Sequence, residues 1–151
     1  MARFIINEWL WADSAGENGL GAQQSALRFI NALANSDHQI IIIEGTEFDR
    51  KAWALCKELD VIVQSIATAY VRQVRQNSDR CLILRKDAVA ALPNHLAAAI
   101  KPDDQYLVCA QLTAGDAVLV TTDMPLREIA QQNGLPCVSR EKFLTDYFGI
   151  Q

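Results

Sequence analysis

Acidic side chains frame one helix–turn–strand segment of this chain, and their placement predicts a cation site. Asp103 and Asp104 open an apolar segment of helical character, which Gly115 is suited to end. The β-rich run Ala117–Thr121 follows, and Asp123 lies just beyond it. In a wound α/β sheet, helices begin at the edge where strands end. These carboxylates are therefore expected to share the carboxyl edge, where such sheets bind ligands.

Further polar side chains are predicted at this edge because they follow other strand-like runs. Asn7 and Glu8 come after the first such run, and Glu44 follows the second. Carboxylates gathered in one place repel one another unless cations neutralise them. Magnesium and manganese ions prefer oxygen ligands and activate water for phosphodiester hydrolysis. The remaining acids that could reach the edge are Asp13, Glu47 and Asp87.

The same acids also have simpler explanations, which remain open at this point. Carboxylates at helix starts, as at Asp103, Asp104 and Asp123, commonly cap the helix and face the positive end of its dipole. Glu8 and Glu44 could be solvated strand ends. Only the predicted convergence on one edge favours the cation site.

Two further features near this edge allow a functional or a structural interpretation. Trp9 and Trp11 could stack on bases, although aromatic residues beside a first strand usually belong to the core. Arg85 and Lys86 could contact phosphates, or they could lie in solvent at the end of a strand.

Apolar runs and turn signals alternate along the chain, as is typical of a parallel sheet covered by helices. The predicted strands are Arg3–Ile6, Gln39–Ile43, Cys81–Leu84, Ala117–Thr121 and Leu135–Val138. Helices are predicted over 22–34, 61–76, 88–92, 94–100, 103–115 and 125–133. Another helix is predicted to begin with Thr46 or Asp49 as its cap and to end near 59. A last helix is predicted to begin with Ser139 as its cap. We expect one α/β domain over 1–151, with a three-layer α/β/α fold and a central, mostly parallel sheet of four to five strands.

The composition is that of an ordinary soluble globular protein, because 50% of the 151 residues are apolar and 21% are charged. The net charge of -4 argues against a strongly basic nucleic-acid binder, but an enzyme could still hold a polyanion through divalent cations. The four cysteines form no C-x-x-C motif, so we expect reduced thiols in a cytoplasmic protein. No apolar run approaches the length of a membrane span.

The order of several short motifs in the second half of the chain is distinctive. Asp104 opens a helix, a strand ends in Thr121-Thr122-Asp123, and Asn133-Gly134 stops the next helix. Val138-Ser139 and then Phe143-Leu144 follow in a last strand and helix. In this order and spacing, the segment resembles the C-terminal half of the PIN domain family.

The resemblance implies a PIN-like fold and a ribonuclease site that depends on Mg²⁺ or Mn²⁺. Asp104 and Asp123 would be metal ligands, and Thr121 would support the site by hydrogen bonding. A helical glutamate would complete the site, and both Glu44 and Glu47 are candidates.

The first strand departs from the family pattern. The family has an aspartate at the strand end, where this chain has Asn7, which can coordinate a metal but brings no charge. Glu8 would point to the opposite face if the strand alternation continued.

Three classes of function are consistent with these residues. The first is a PIN-type endoribonuclease that cuts single-stranded RNA, such as a toxin with an antitoxin partner or a processing enzyme. The second is a catalytically degraded PIN-like module that binds RNA or a protein partner, which Asn7 favours. The third is a receiver or haloacid-dehalogenase-like phosphotransferase, whose acidic motifs Asn7-Glu8-Trp9 fails to supply. The resemblance also implies a homodimer.

Overall fold

A five-stranded, all-parallel sheet forms the centre of the computed structural model, which describes residues 1–151. Its strands are β1 (Arg3–Ile6), β2 (Gln39–Ile43), β3 (Cys81–Leu84), β4 (Ala117–Val120) and β5 (Cys137–Val138). Their order across the sheet is β3-β2-β1-β4-β5. The predicted α/β class, with a parallel sheet of four to five strands, is confirmed.

Eight α-helices connect the strands. They are α1 (Trp9–Ser14), α2 (Leu20–Ala34), α3 (Glu47–Leu55), α4 (Val61–Tyr70), α5 (Asn94–Ala99), α6 (Gln105–Ala114), α7 (Met124–Gln132) and α8 (Arg140–Phe148). Short 3-10 turns cover Lys86–Ala88 and Pro102–Asp104, and a π-helical turn over Val71–Arg75 continues α4. None of the helices is long and apolar enough to cross a membrane.

Strands β1, β2 and β4 are buried on both faces of the sheet, whereas the edge strand β3 is partly exposed. Phe4, Ile40 and Ile42 belong to one hydrophobic cluster, together with side chains of α1 to α4 and α8. Ile5 and Ile41 belong to a second cluster, together with side chains of α5 to α7. Successive side chains of a strand point to opposite faces, so the two clusters form the two interfaces of a three-layer α/β/α fold. Burial on both sides explains why the isoleucine run of β2 lacks polar alternation.

The winding of the chain reverses between β1 and β4. From β1 the chain moves outward through β2 to β3, then crosses back to place β4 on the other side of β1 and β5 beyond it. The register sets Ile6 opposite Val120, so Asn7 and Thr121 leave the sheet side by side. Open α/β sheets bind ligands at a reversal of this kind.

Some element boundaries differ from the sequence prediction for local reasons. The helix predicted over 88–92 is wrong: this segment is mostly non-helical, because Pro93 disfavours helical backbone in the residue before it. Helix α3 ends earlier than predicted, and Asp60 then caps α4 by accepting hydrogen bonds from the amides of Ile62 and Val63. The helix predicted over 61–76 adopts π-helical hydrogen bonding in its last part.

Asp49, one of the two predicted caps of α3, instead lies within that helix in a buried ion pair. Its carboxylate accepts hydrogen bonds from Arg75 Nε at 2.8 Å and from the backbone amide of Gly45 at 3.1 Å. Thr46 occupies the N-cap position, but its side chain makes no hydrogen bond to the helix. The π-helical turn thus ends with Arg75 held against α3, which ties α3 to α4.

Tyr70→Phe is expected to stabilise the fold. The Tyr70 hydroxyl is fully buried without a hydrogen-bond partner, and burial together with the charges of Cys81 and Asp49 raises its pKa well above the ordinary value. Removing an unpaired buried hydroxyl while keeping the ring should raise the free energy of unfolding by about 1 kcal/mol. Urea denaturation measures this change, with the exposed Tyr147→Phe as the matched control. A loss of stability in Tyr70→Phe alone would contradict the expectation.

Candidate active site

A cleft of about 570 Å³ opens at the carboxyl edge of the sheet, where the winding reverses. The end of β1, helices α1 and α3, the start of α6 and the β4–α7 loop all contribute to it. Its polar lining residues are Asn7, Glu8, Glu17, Lys51, Asp104, Thr122 and Asp123. Its apolar lining residues are Trp9, Trp11, Ala12, Ala15, Ala54 and Leu55.

The Asp104 carboxylate is half-buried and lies at the wall of this cleft. Asp104 occupies the N-cap position of α6, but its side chain makes no capping hydrogen bond, so capping does not explain it. Burial raises the pKa of Asp104, and the negative charges of Asp123, Asp103 and Glu8 raise it further, whereas Lys101 lowers it. Carboxylates from separate elements therefore repel one another here.

Asp123 serves as a helix cap and also lines the cleft. Its Oδ1 accepts a hydrogen bond from the backbone amide of Leu126 at 3.0 Å, at the start of α7. The second oxygen, Oδ2, makes no such bond within the protein. The capping and cation-site interpretations are thus compatible for this residue.

Thr121 holds the two sides of the site together. Its side chain is completely buried, and its Oγ1 accepts hydrogen bonds from Asn7 Nδ2 at 3.0 Å and from the amide of Asp123 at 3.0 Å. The Asn7 Oδ1 accepts a hydrogen bond from the amide of Glu8 at 2.7 Å. These bonds fix the side chain of Asn7 at the end of β1, beside the loop that carries Asp123.

Glu8 lies in the cleft because strand geometry ends before it. Its backbone is helical, with φ of -66° at the start of α1, so the expected alternation to the opposite face does not apply. Glu8 Oε1 lies 3.2 Å from Lys51 Nζ of α3. Sequence reasoning missed Lys51, because no local pattern indicates that a lysine of α3 pairs with a residue that follows β1.

Tyr106 of α6 has a buried hydroxyl and does not line the cleft. Burial raises the pKa of its hydroxyl, and the charges of Glu8, Asp104 and Glu47 raise it further, whereas the backbone of Phe48 lowers it. Glu47, the glutamate of α3 predicted as an alternative to Glu44, is exposed, pairs with Arg50 and does not line the cleft.

Several predicted site residues lie elsewhere. Glu44 is exposed after β2 and does not line the cleft. Arg85 and Lys86 are exposed after β3 and do not line it either. Asp13 pairs with Arg140 at 3.0 Å and is buried.

The tryptophans belong to the core, although parts of their rings border the cleft. Trp9 is 5% exposed and Trp11 is 2% exposed. Their indole N–H groups donate to the carbonyls of Val120 and Phe48. Neither ring offers a free face for a base to stack on.

The donor chemistry of the cleft fits a hydrated Mg²⁺ or Mn²⁺ ion. No group of three or more histidine, cysteine, aspartate or glutamate side chains is arranged to hold a metal by itself. Mg²⁺ keeps several of its waters and is commonly bound through one or two carboxylates, which Asp104 and Asp123 supply.

Comparison with known protein families gave no match, and comparison with curated proteins gave none. The candidate site therefore depends on the geometry of this chain and on the resemblance of its motifs.

Asp104→Asn is expected to stabilise the protein at neutral pH, because folding raises the pKa of this carboxyl. The folded state disfavours the charged form, so wild-type stability falls as pH rises from the ordinary pKa of 3.8 through the raised pKa. The gain of the variant should be largest at neutral pH and should vanish below pH 3.8. Urea denaturation from acid to neutral pH measures it, with Asp146→Asn on the exposed face of α8 as control. Equal or lower stability of Asp104→Asn at neutral pH would refute this.

Proposed function

We propose that this protein is a PIN-type, metal-dependent endoribonuclease that hydrolyses phosphodiester bonds of single-stranded RNA. The observation that carries the proposal is the convergence of Asp104 and Asp123, from separate elements, in the cleft where the sheet winding reverses. Burial raises the pKa of Asp104 most, and the charge of Asp123 raises it further; a bound cation would offset both effects.

Asp104 and Asp123 would hold Mg²⁺ or Mn²⁺, with the fixed Asn7 beside them. When bound, such an ion activates water and stabilises the oxygen that leaves phosphorus. Thr121 keeps Asn7 and Asp123 at a constant separation through its two hydrogen bonds.

The lining of the cleft is compatible with an RNA strand. It combines acids with the small apolar side chains Ala12, Ala15 and Ala54. Small side chains leave room for a ribose or a base, while a cation held by Asp104 and Asp123 would bind the phosphate. Because the acids would repel the phosphate, binding of this polyanion depends on the cation.

The cellular setting follows from the resemblance. We place the protein in the cytoplasm, as a homodimer, with an antitoxin or another protein as partner if it is a toxin. Four free cysteines without a disulfide are in keeping with a reducing compartment. The exposed apolar side chains Leu59, Val61 and Ile62, at the α3–α4 turn, offer a surface for a second protein chain.

A catalytically degraded, PIN-like binding module is the second candidate. It is favoured by the neutral Asn7 at the end of β1 and by the pairing of Glu8 with Lys51. Both features reduce the negative charge available to hold a metal. In this case the cleft would bind RNA or a protein partner without cutting.

Asp104→Asn and Asp123→Asn are each expected to reduce RNA cleavage by roughly 100-fold or more, the scale of losing a group that stabilises transition-state charge. The measurement is the decay of a fluorescent single-stranded RNA with Mn²⁺ and purified protein. Asp116→Asn is the matched control, since Asp116 is an exposed acid at the opposite edge of the sheet. Equal decay in all samples, or no decay in any, rules out the nuclease.

Asn7→Asp is expected to tighten Mn²⁺ binding and to increase cleavage, because it adds a carboxylate at the end of β1. The substitution keeps the side-chain shape, and the Thr121 hydroxyl, which accepts from the Asp123 amide, can donate its own proton to the new carboxylate. Calorimetric titration with Mn²⁺ gives the affinity. Cleavage by Asn7→Asp alone, with none by the wild type, would favour the degraded module.

A further inference from the structure

We propose that Lys51 acts as a built-in cation of the cleft. Its ammonium group pairs with the Glu8 carboxylate, so that Glu8 does not bind a second metal ion and the site takes one divalent ion, at Asp104 and Asp123. This inference rests on the proposed metal-dependent function and adds a positioning residue to it.

The contact between Lys51 and Glu8 crosses the cleft. Lys51 Nζ of α3 lies 3.2 Å from Glu8 Oε1, which follows β1, and both residues line the cleft with Asp104 and Asp123. Glu8 is close enough to the metal-binding pair for its charge to act on Asp104. A carboxylate at this position would be available to a second cation if Lys51 did not hold it.

The choice of partner by Lys51 is specific. Glu47 lies four residues earlier on α3, the spacing at which a lysine commonly pairs within a helix. Arg50 instead pairs with Glu47, and Lys51 reaches across to Glu8. Its ammonium is therefore directed at the cleft and not along its own helix.

The pair is not explained by fold stability. The Lys51 side chain is 48% exposed and that of Glu8 is 35% exposed. Ion pairs exposed to this extent contribute little to the free energy of unfolding. The pair changes the charge of the cleft instead.

The charge of the cleft matches one divalent ion. Lys51 is the only cationic side chain that lines it, and Asn7 at the end of β1 is neutral. With Glu8 neutralised by Lys51, the pair Asp104 and Asp123 retains a charge that one Mg²⁺ or Mn²⁺ ion balances. Glu17, the remaining acid of the lining, is exposed in the turn after α1.

Mn²⁺ binding to the full chain tests this role without reference to activity. Electron paramagnetic resonance of free Mn²⁺, at low ionic strength where charge effects are least screened, counts the bound ions. The wild type should bind one ion. Lys51→Met, which keeps the apolar stem and removes the charge, should bind the first ion about fivefold more tightly, the scale of one nearby charge in water. It should also gain a second ion.

Two controls isolate the mechanism. Lys57→Met, at an exposed lysine outside the cleft, should match the wild type. Lys51→Met combined with Glu8→Gln should bind one ion again, because the freed ligand is gone. Lys51→Gln should repeat the result of Lys51→Met and guards against a defect of folding specific to methionine.

The outcomes separate this inference from the proposed function. One ion of unchanged affinity in Lys51→Met overturns the role of Lys51 and leaves the metal site standing. Two ions in the wild type overturn it in the same way. No ion bound by the wild type overturns both the role of Lys51 and the metal-dependent function.

Discussion

The parallel pairing of β1 with β4 is the constraint on which the candidate site depends. This pairing sets Ile6 opposite Val120 and brings Asn7 beside Thr121, although the two strands lie far apart in the sequence. The ladder extends past the strand ends, because the amide of Asn7 donates to the carbonyl of Val120 at 3.0 Å. The indole of Trp9 donates to the same carbonyl at 3.1 Å. A slip in this register would move Asn7 and Glu8, which follow β1, away from Thr121 and Asp123, which follow β4.

Negatively charged side chains lie near one another in the cleft although their charges repel. Burial and neighbouring carboxylates both disfavour the charged form of Asp104, whereas the buried acids Asp13 and Asp49 each have an arginine partner. Asp13 and Asp49 thus stabilise the fold through ion pairs, whereas Asp104 has no cationic side chain bound to it and is free to bind a ligand. Perturbed, uncompensated acids of this kind are concentrated at functional sites.

Much of the fold could be predicted from the sequence, because burial leaves a local signal. The bounds of β1, β2 and β3 agree with prediction, since each contains a short continuous apolar run bounded by polar residues. The convergence of Asp104 and Asp123 also followed, because parallel topology places helix starts and strand ends at one edge. Both results needed only the order of elements along the chain.

Pairings across elements could not be predicted in the same way. The contacts of Lys51 with Glu8 and of Arg75 with Asp49 depend on side-chain reach between separate elements, which no local pattern records. The π-helical turn at the end of α4 also lacks a sequence signal of its own, and its effect is visible only in the placement of Arg75. Glu8 lies in the cleft and not on the opposite face as predicted, because helix α1 begins directly after β1 and the strand alternation ends before Glu8.

The hydrogen bonds of Thr121 have a consequence for protein synthesis. Asn7 emerges from the ribosome well before Asp104, Thr121 and Asp123. Strands β2 and β3 can pair on one side of β1 while its other edge is still open, and β4 closes that edge afterwards. The nascent chain thus has no assembled cleft until β4 has left the ribosome, and any activity of the cleft must wait for that step.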